Sequence, residues 1–166
     1  MVNIRPATLD DATAIVAIYN RYVAETAISF EEVPVDGPTM QGRIQGVLDA
    51  GLPWLVAEYG GNVLGYAYAT PWRTRSAYRY AAESTVYLSP DAQGRGIGSA
   101  LYTALIGQLR ERKLHTVIGG IAQPNAASVA LHEKLGFKRV AMFEQVGWKF
   151  DRWVDVGYWQ LVLESR

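Results

Sequence analysis

The sequence predicts a single α/β domain, residues 1–166, in which a mixed sheet of about six or seven strands is flanked by helices. A length of 166 residues suits one domain with its own core. Hydrophobic residues make up 49% of the chain, which is typical of a globular protein and excludes a disordered one. Strand-like and helix-like stretches follow in the order β-α-α-β-β-β-α-β-α-β-β, which departs from strict βαβ alternation and indicates a mixed sheet.

The first half of the chain predicts a strand, two helices and a hairpin. Residues 2–6 form the opening strand, and Thr8 is a candidate N-cap for the helix that follows. This helix carries an apolar stripe at Ile15, Ile18, Tyr19, Tyr22 and Val23, and a second helix carries one at Met40, Ile44, Val47 and Leu48. Two β-rich runs, residues 54–59 and 63–70, flank a pair of glycines, which is a hairpin signal.

The second half predicts four strands and two helices. Residues 83–88 form a strand, and a helix runs from a glycine cluster to about Arg112. The remaining elements are a strand at 116–121, a helix at 125–135 that ends before Gly136, and closing strands at about 138–143 and 154–163.

Composition excludes several classes of function. The chain has 16 basic and 16 acidic residues, whereas a nucleic-acid-binding domain usually carries a basic excess. It has no cysteine, so a disulfide framework, a thiolate zinc site and a cysteine nucleophile are all excluded, and we expect no metal. No apolar run reaches about 18 residues and no basic-then-apolar leader begins the chain, so we expect no membrane association and a cytoplasmic protein.

A glycine-rich turn between a strand and a helix is the most informative segment. It contains Gln93, Gly94, Arg95, Gly96, Ile97, Gly98 and Ser99. Such a junction presents unpaired backbone N–H groups at the positive end of a helix dipole, where a diphosphate can bind. The spacing matches neither a Rossmann fingerprint nor a P-loop. It reads Q-x-x-G-x-G, and a tight turn without a ligand is the alternative.

The strand before this turn divides into two faces. A period of two places Glu83, Thr85 and Tyr87 on one face, and Ser84, Val86 and Leu88 on the other. Burying a carboxylate in an apolar strand raises its pKa toward the strength of a general base. Glu83 is therefore either a catalytic base or a partner in a salt bridge with Arg73, Arg75 or Arg79, and the residues alone leave both interpretations open.

Two segments and the order of elements along the chain together resemble the GCN5-related N-acetyltransferases. The Q-x-x-G-x-G turn is similar to that family's acetyl-CoA loop, and Asn125, Ser128, His132 and the Leu-Gly-Phe at 135–137 are similar to its second cofactor element. Within the family, residues 83–87, Trp72-Arg73 and residues 155–161 resemble the phosphinothricin and methionine sulfoximine acetyltransferases. The closer resemblance covers nearly the whole chain.

The resemblance implies a cosubstrate, acetyl-CoA, and a set of residues that contact it. Residues 94–99 would hold the diphosphate, and the main chain of Val86, Tyr87 and Leu88 would pair with the pantetheine arm. Asn125 would hold that arm, besides being a candidate N-cap. Glu83 would be the base, acting through water. His132 would protonate the leaving thiolate in place of the more usual tyrosine, the alternative being a buried helix histidine satisfied by a carbonyl group.

The resemblance also implies a substrate and an assembly. The substrate is the α-amine of a small amino-acid analogue, bound by Arg73, Thr74, Arg75, Glu83, Ser84 and Thr85, with Trp72, Tyr78 and Tyr80 as further candidates and Phe30-Glu31 bordering the pocket. Arginine suits an anionic substrate, and for each single arginine the alternative is a solvated basic loop. The alternatives are acetylation of a protein N-terminus or lysine, and a non-catalytic acyl-CoA-binding module. We expect a homodimer, with Trp148, Trp153 and Trp159 packing the core or a subunit contact.

Overall fold

The computed structural model describes residues 1–163, which form one mixed sheet flanked by helices, as the sequence predicts. The helices are α1 (Ala12–Glu25), α2 (Gly37–Asp49), α3 (Ile97–Glu111) and α4 (Ala126–Lys134). The strands are β1 (Asn3–Pro6), β2 (Trp54–Tyr59), β3 (Asn62–Pro71), β4 (Ala81–Leu88), β5 (Thr116–Ala122), β6 (Lys138–Lys149) and β7 (Arg152–Val162). They pair in the order β1-β2-β3-β4-β5-β7-β6.

The sheet opens at its centre, between β4 and β5. These strands run parallel and pair only from Ala81 opposite Thr116 to Glu83 opposite Ile118. Beyond that point β4 stays paired with β3 as far as Leu88, whereas β5 follows β7 on its other side. The edge of β4 that faces β5 is therefore left without a strand partner from residue 84 onward.

The two faces of β4 pack against different helices, as its alternation predicts. Tyr87 lies against the rings of Tyr19 and Tyr22 from α1. On the opposite face, the Ser84 hydroxyl bonds to Tyr102 of α3 at 3.0 Å. In the described part of the chain, no helix is long and apolar enough to cross a membrane.

Two predicted boundaries are wrong. A 3₁₀ turn at Leu9–Asp11 follows Thr8, so α1 begins only at Ala12. Strand β6 continues six residues past the predicted end at position 143. Its pattern is broken because Gln145 adopts a positive φ of 53°, within an irregular register, and donates its backbone N–H to Asp155 at 2.8 Å.

Candidate active site

A cleft of about 530 Å³ occupies the opening between β4 and β5, and we call it the long cleft. Its lining includes residues 84–88 and 96–99, with Glu83, Gln93, Gly94, Asn125, Ser128 and His132. The predicted turn, the edge of β4 and the start of α4 thus converge on one surface. Arg95 is exposed and does not line this cleft.

The glycine turn presents backbone amides to the long cleft. Gly94 and Gly96 adopt φ of +75° and +76°, a conformation that side chains disfavour, and a Cβ on either would meet open space. Gly96 is the N-cap of α3 and offers no capping side chain. Within residues 1–163, the amides of Ile97, Gly98 and Ser99 have no hydrogen-bond acceptor. These three amides are free donors, which can bind an anion from outside the chain.

Asn125 begins α4 at the far side of the long cleft. Its side-chain oxygen accepts the backbone N–H of Ser128 at 3.2 Å, so the predicted N-cap is confirmed. This bond uses the carbonyl end of the amide, and the NH₂ end keeps its donors for a second partner. The role of Asn125 in holding the pantetheine arm stays a prediction.

Glu83 lies half-buried where β4 and β5 separate. Burial raises the pKa of its carboxyl above the ordinary value, and the positive charge of Arg73 offsets part of that rise. Within the described residues, no ion pair includes Glu83, so the salt bridge to Arg73, Arg75 or Arg79 that the alternative interpretation requires is not formed. What remains is a partly desolvated carboxylate, the environment that a general base near neutral pH requires.

A second cavity of about 630 Å³, the side cavity, adjoins the long cleft. Its lining includes Phe30 and Glu31, as predicted, and also Phe143, Val146, Val156 and Tyr158. Both spaces are lined by Ile28, Glu83, Tyr87, Gly120 and Ala122. They therefore meet at the Glu83 carboxylate, so two molecules bound in them would be neighbours.

The Gly119-Gly120 pair in β5 is a feature of the site that the sequence reading missed. A Cβ on Gly119 would lie 2.7 Å from Nε2 of His132. A Cβ on Gly120 would lie 3.1 Å from the Tyr158 ring and 3.6 Å from the Glu83 carboxylate. Two glycines inside a strand signal close approach on both faces, and that signal could have pointed to Tyr158.

His132 is buried at 3% exposure and held at both ring nitrogens. Its Nδ1 lies 2.7 Å from the Ser128 carbonyl oxygen, which can only accept, so Nδ1 carries the proton. Its Nε2 lies 3.0 Å from the Tyr102 hydroxyl. Burial lowers the pKa of His132, which favours the neutral imidazole. His132 is thus a buried helix histidine that is hydrogen-bonded to a carbonyl group, as the alternative interpretation states. Its role as a general acid stays a prediction.

Burial of this histidine should make the protein less stable in acid. Because its pKa is lowered in the folded state, the unfolded chain takes up a proton more readily as pH falls below about 6.5. We expect the melting temperature to fall between pH 7.5 and 5.5, and to fall less steeply in His132→Gln. The exposed His115 provides the matched control: His115→Gln should keep the wild-type slope. Equal slopes in all three proteins would contradict the burial argument.

Some of the predicted substrate-binding residues line a cavity, and others lie outside both cavities. Arg73, Thr74 and Arg75 line neither cavity, nor do the exposed Tyr78 and Tyr80. The Arg73 guanidinium stacks on the Trp72 ring at 4.8 Å, and Trp72 in turn meets Tyr158 edge-on at 5.8 Å between ring centroids. Ser84 and Thr85 line the long cleft and not the side cavity.

Arg73 should nevertheless affect the reaction, through its charge. Its positive charge lowers the pKa of Glu83, so Arg73→Met should raise that pKa further. The acid limb of the kcat/KM profile should then move to higher pH, because the Glu83 carboxyl loses its proton only at a higher pH. Arg75→Met removes the same charge from a residue that does not shift the pKa of Glu83, and its profile should match that of wild type. An unmoved limb in Arg73→Met would contradict the coupling.

The family model that matches this chain is the acetyltransferase (GNAT) family, over residues 15–137. The chain belongs to the GNAT acetyltransferase family. The resemblance seen in the sequence is thereby confirmed, and with it the prediction that this GNAT protein is an N-acetyltransferase.

Individual relatives share the fold over nearly the whole GNAT chain. A phosphinothricin N-acetyltransferase of Alcaligenes faecalis is 45% identical over 157 residues, 94% of this chain and 80% of the relative. An L-methionine sulfoximine/L-methionine sulfone acetyltransferase of Pseudomonas paraeruginosa is 40% identical over 163 residues, 98% and 95% of the two chains. Among solved structures, yncA of Salmonella typhimurium, with its cofactor acetyl-CoA, superposes with a TM-score of 0.96 at 39% identity, covering 99% of this chain and 95% of its own.

Proposed function

We propose that this enzyme transfers the acetyl group of acetyl-CoA to the α-amine of a small amino-acid analogue of the phosphinothricin or methionine sulfoximine type. The observation that carries the proposal is the meeting of the long cleft and the side cavity at Glu83. The names of the relatives support the substrate class, and the acetyl-CoA of the Salmonella neighbour supports the donor.

The residues of the long cleft fit acetyl-CoA. The free amides of residues 97–99 can bind a diphosphate, and the unpaired edge of β4 can pair with the amide groups of a pantetheine arm. An arm placed along residues 86–88 would carry the thioester toward Glu83 and the opening of the side cavity. No metal is required for this chemistry, and within residues 1–163 no cluster of metal-ligating side chains is found.

The chain's own groups would then carry out direct transfer. Glu83 takes a proton from the substrate ammonium, through water, which frees the nitrogen lone pair. The amine nitrogen forms a bond to the acetyl carbon as the carbon–sulfur bond breaks. The nitrogen then loses its second proton to become the amide, and the departing thiolate takes up one proton to leave as the free thiol. A backbone N–H of β4 polarises the thioester carbonyl, and the adjoining cavities supply the alignment of the two reactants.

The geometry favours this proposal over its two alternatives. Free acidic groups in the side cavity would favour binding of a peptide amine. Glu31 is not free, because its carboxylate accepts hydrogen bonds from both terminal guanidinium nitrogens of Arg43, at 2.6 and 2.8 Å. A module that only binds acyl-CoA has no need of a partly buried carboxylate without a cation partner at the meeting point of two cavities.

Thiol release from acetyl-CoA tests the proposal. We expect amine-dependent release with phosphinothricin, methionine sulfoximine or methionine sulfone, at least about tenfold above a short peptide of equal concentration. A stronger response to the peptide would favour the protein-acetylation alternative. No response to any amine, with acetyl-CoA still bound, would contradict catalysis and favour the binding module.

The homodimer and the cytoplasmic setting remain part of the proposal. Support for the homodimer comes from the end of the β6–β7 hairpin, where Trp148 and Trp153 pack edge to face at 4.7 Å and stay about half exposed, beside the exposed Phe150. Trp159, by contrast, is buried in the core.

A further inference from the structure

A buried lysine crosses from β6 to the loop that joins α1 to α2. Lys149 is only 2% exposed, and its ammonium donates to the carbonyl oxygens of Val23, Ser29 and Glu31 at 2.8, 2.7 and 2.8 Å. These contacts use all three donors of the ammonium. Within residues 1–163, no ion pair includes Lys149. A buried charge without a counter-ion is costly, so its carbonyl partners are what keep it in place.

The loop that the ammonium holds forms one wall of the side cavity. Residues 26–36 contain no helix or strand, and they present Ile28, Ser29, Phe30 and Glu31 to that cavity. The side chains of α1 and α2 also hydrogen-bond to this loop: Asn20 to Val35, Tyr19 to Ser29 and Glu31, and Arg43 to Glu31. Lys149 instead comes from β6, which supplies Phe143 and Val146 on the facing wall.

A second contact from the same strand fixes the same loop. A Cβ on Gly147 would lie 2.4 Å from Cζ of Phe30, so the Phe30 ring rests directly on the Gly147 backbone. Gly147 and Lys149 are two residues apart and therefore point to the same side of β6. One contact sets the position of the Phe30 ring, and the other sets the backbone on either side of it.

We propose that Lys149 is a positioning residue for the amine substrate: with Gly147, it sets the distance between the two walls of the side cavity and so determines which side chains fit there. This inference rests on the proposed function, because it takes the side cavity to be the amine site. Lys149 touches neither reactant. It acts through Phe30 and Glu31, which line the side cavity and not the long cleft.

Steady-state kinetics of Lys149→Met test the inference. Removing the ammonium while keeping the side-chain length should raise the KM for the amine by about tenfold to a hundredfold, because a wall displaced by about 1 Å misplaces the substrate. The KM for acetyl-CoA should change by a much smaller factor, about twofold, since Phe30 and Glu31 do not line the long cleft. Lys138→Met, at an exposed position of the same strand, is the matched control and should change neither value. A general loss of folding would not act on one substrate selectively: it would change the KM values for the amine and for acetyl-CoA together, or change neither.

A second pair of variants keeps the inference testable if Lys149→Met folds poorly. Gly147→Ala should also raise the KM for the amine, and by a smaller factor when Phe30→Ala is already present, because the collision is then gone. Equal factors in both backgrounds would overturn the inference, as would an unchanged amine KM in a folded Lys149→Met. Failure of the proposed function is a different result: the wild-type enzyme would then acetylate no amine. In that case amide hydrogen exchange provides the test. Faster exchange at residues 28–31 in Lys149→Met than in wild type would support the inference that Lys149 holds this wall of the side cavity, and unchanged exchange would overturn it.

Discussion

Glu83→Gln should lower kcat/KM for the amine by about 10²–10⁴-fold, the range that a general base contributes. Glutamine keeps the shape and polarity of the side chain and loses only the ability to accept a proton. Acetyl-CoA affinity should therefore remain close to that of wild type. The acid limb of the kcat/KM profile, which reports the raised pKa of Glu83, should also disappear from the residual activity.

Glu144→Gln makes the same change at an exposed position of β6 and should leave turnover unchanged. Stopped-flow or plate measurements of thiol release report turnover, and calorimetric titration with acetyl-CoA reports binding of the donor, so the two effects are measured separately. Equal turnover in Glu83→Gln and wild type across the amine panel would show that another group takes the proton.

Gly96→Trp should abolish acetyl-CoA binding while the protein stays folded. The indole would occupy the space in front of the amides of residues 97–99, where the structure leaves room for an anion. A side chain at positive φ also costs roughly 1–2 kcal/mol of stability, so some fall in the melting temperature is expected.

Gly51 is the matched control for that cost. It has nearly the same φ, +74°, a Cβ there would also meet open space, and it lies after α2, outside both cavities. Gly51→Trp should lose similar stability and bind acetyl-CoA as wild type does in calorimetry. If Gly96→Trp binds with wild-type affinity, the diphosphate does not occupy this turn.

The parts of the site that obey local rules are predictable from the sequence. Gly96 and Gly98 stand at a strand-to-helix junction, and the spacing alone indicates exposed amides. The period of two separates Glu83 from Ser84, which do face different surroundings. Asn125 caps its helix as predicted, and Gly136 ends that helix at a φ of +95°.

Other parts depend on contacts between distant segments and on irregular backbone. No periodicity indicates that Gln145 adopts a positive φ, so the second half of β6 could not be assigned as a strand. Lys149 reads as an ordinary surface lysine, because its carbonyl partners lie more than a hundred residues earlier. The resemblance implies that His132 protonates the thiolate, but the burial that lowers its pKa and favours the neutral imidazole arises from tertiary packing that the sequence does not reveal. The charge of Arg75 predicts contact with an anionic substrate, but the loop places this residue outside both cavities.

The central claim is that the separation of β4 from β5 brings a donor in the long cleft beside the Glu83 carboxylate. A crystal structure with coenzyme A bound tests it most directly. We predict diphosphate density at the amides of residues 97–99, a pantetheine arm along the free edge of β4, and the sulfur directed toward the opening of the side cavity. Coenzyme A bound outside this gap, or bound there with its sulfur directed away from Glu83, would contradict the account.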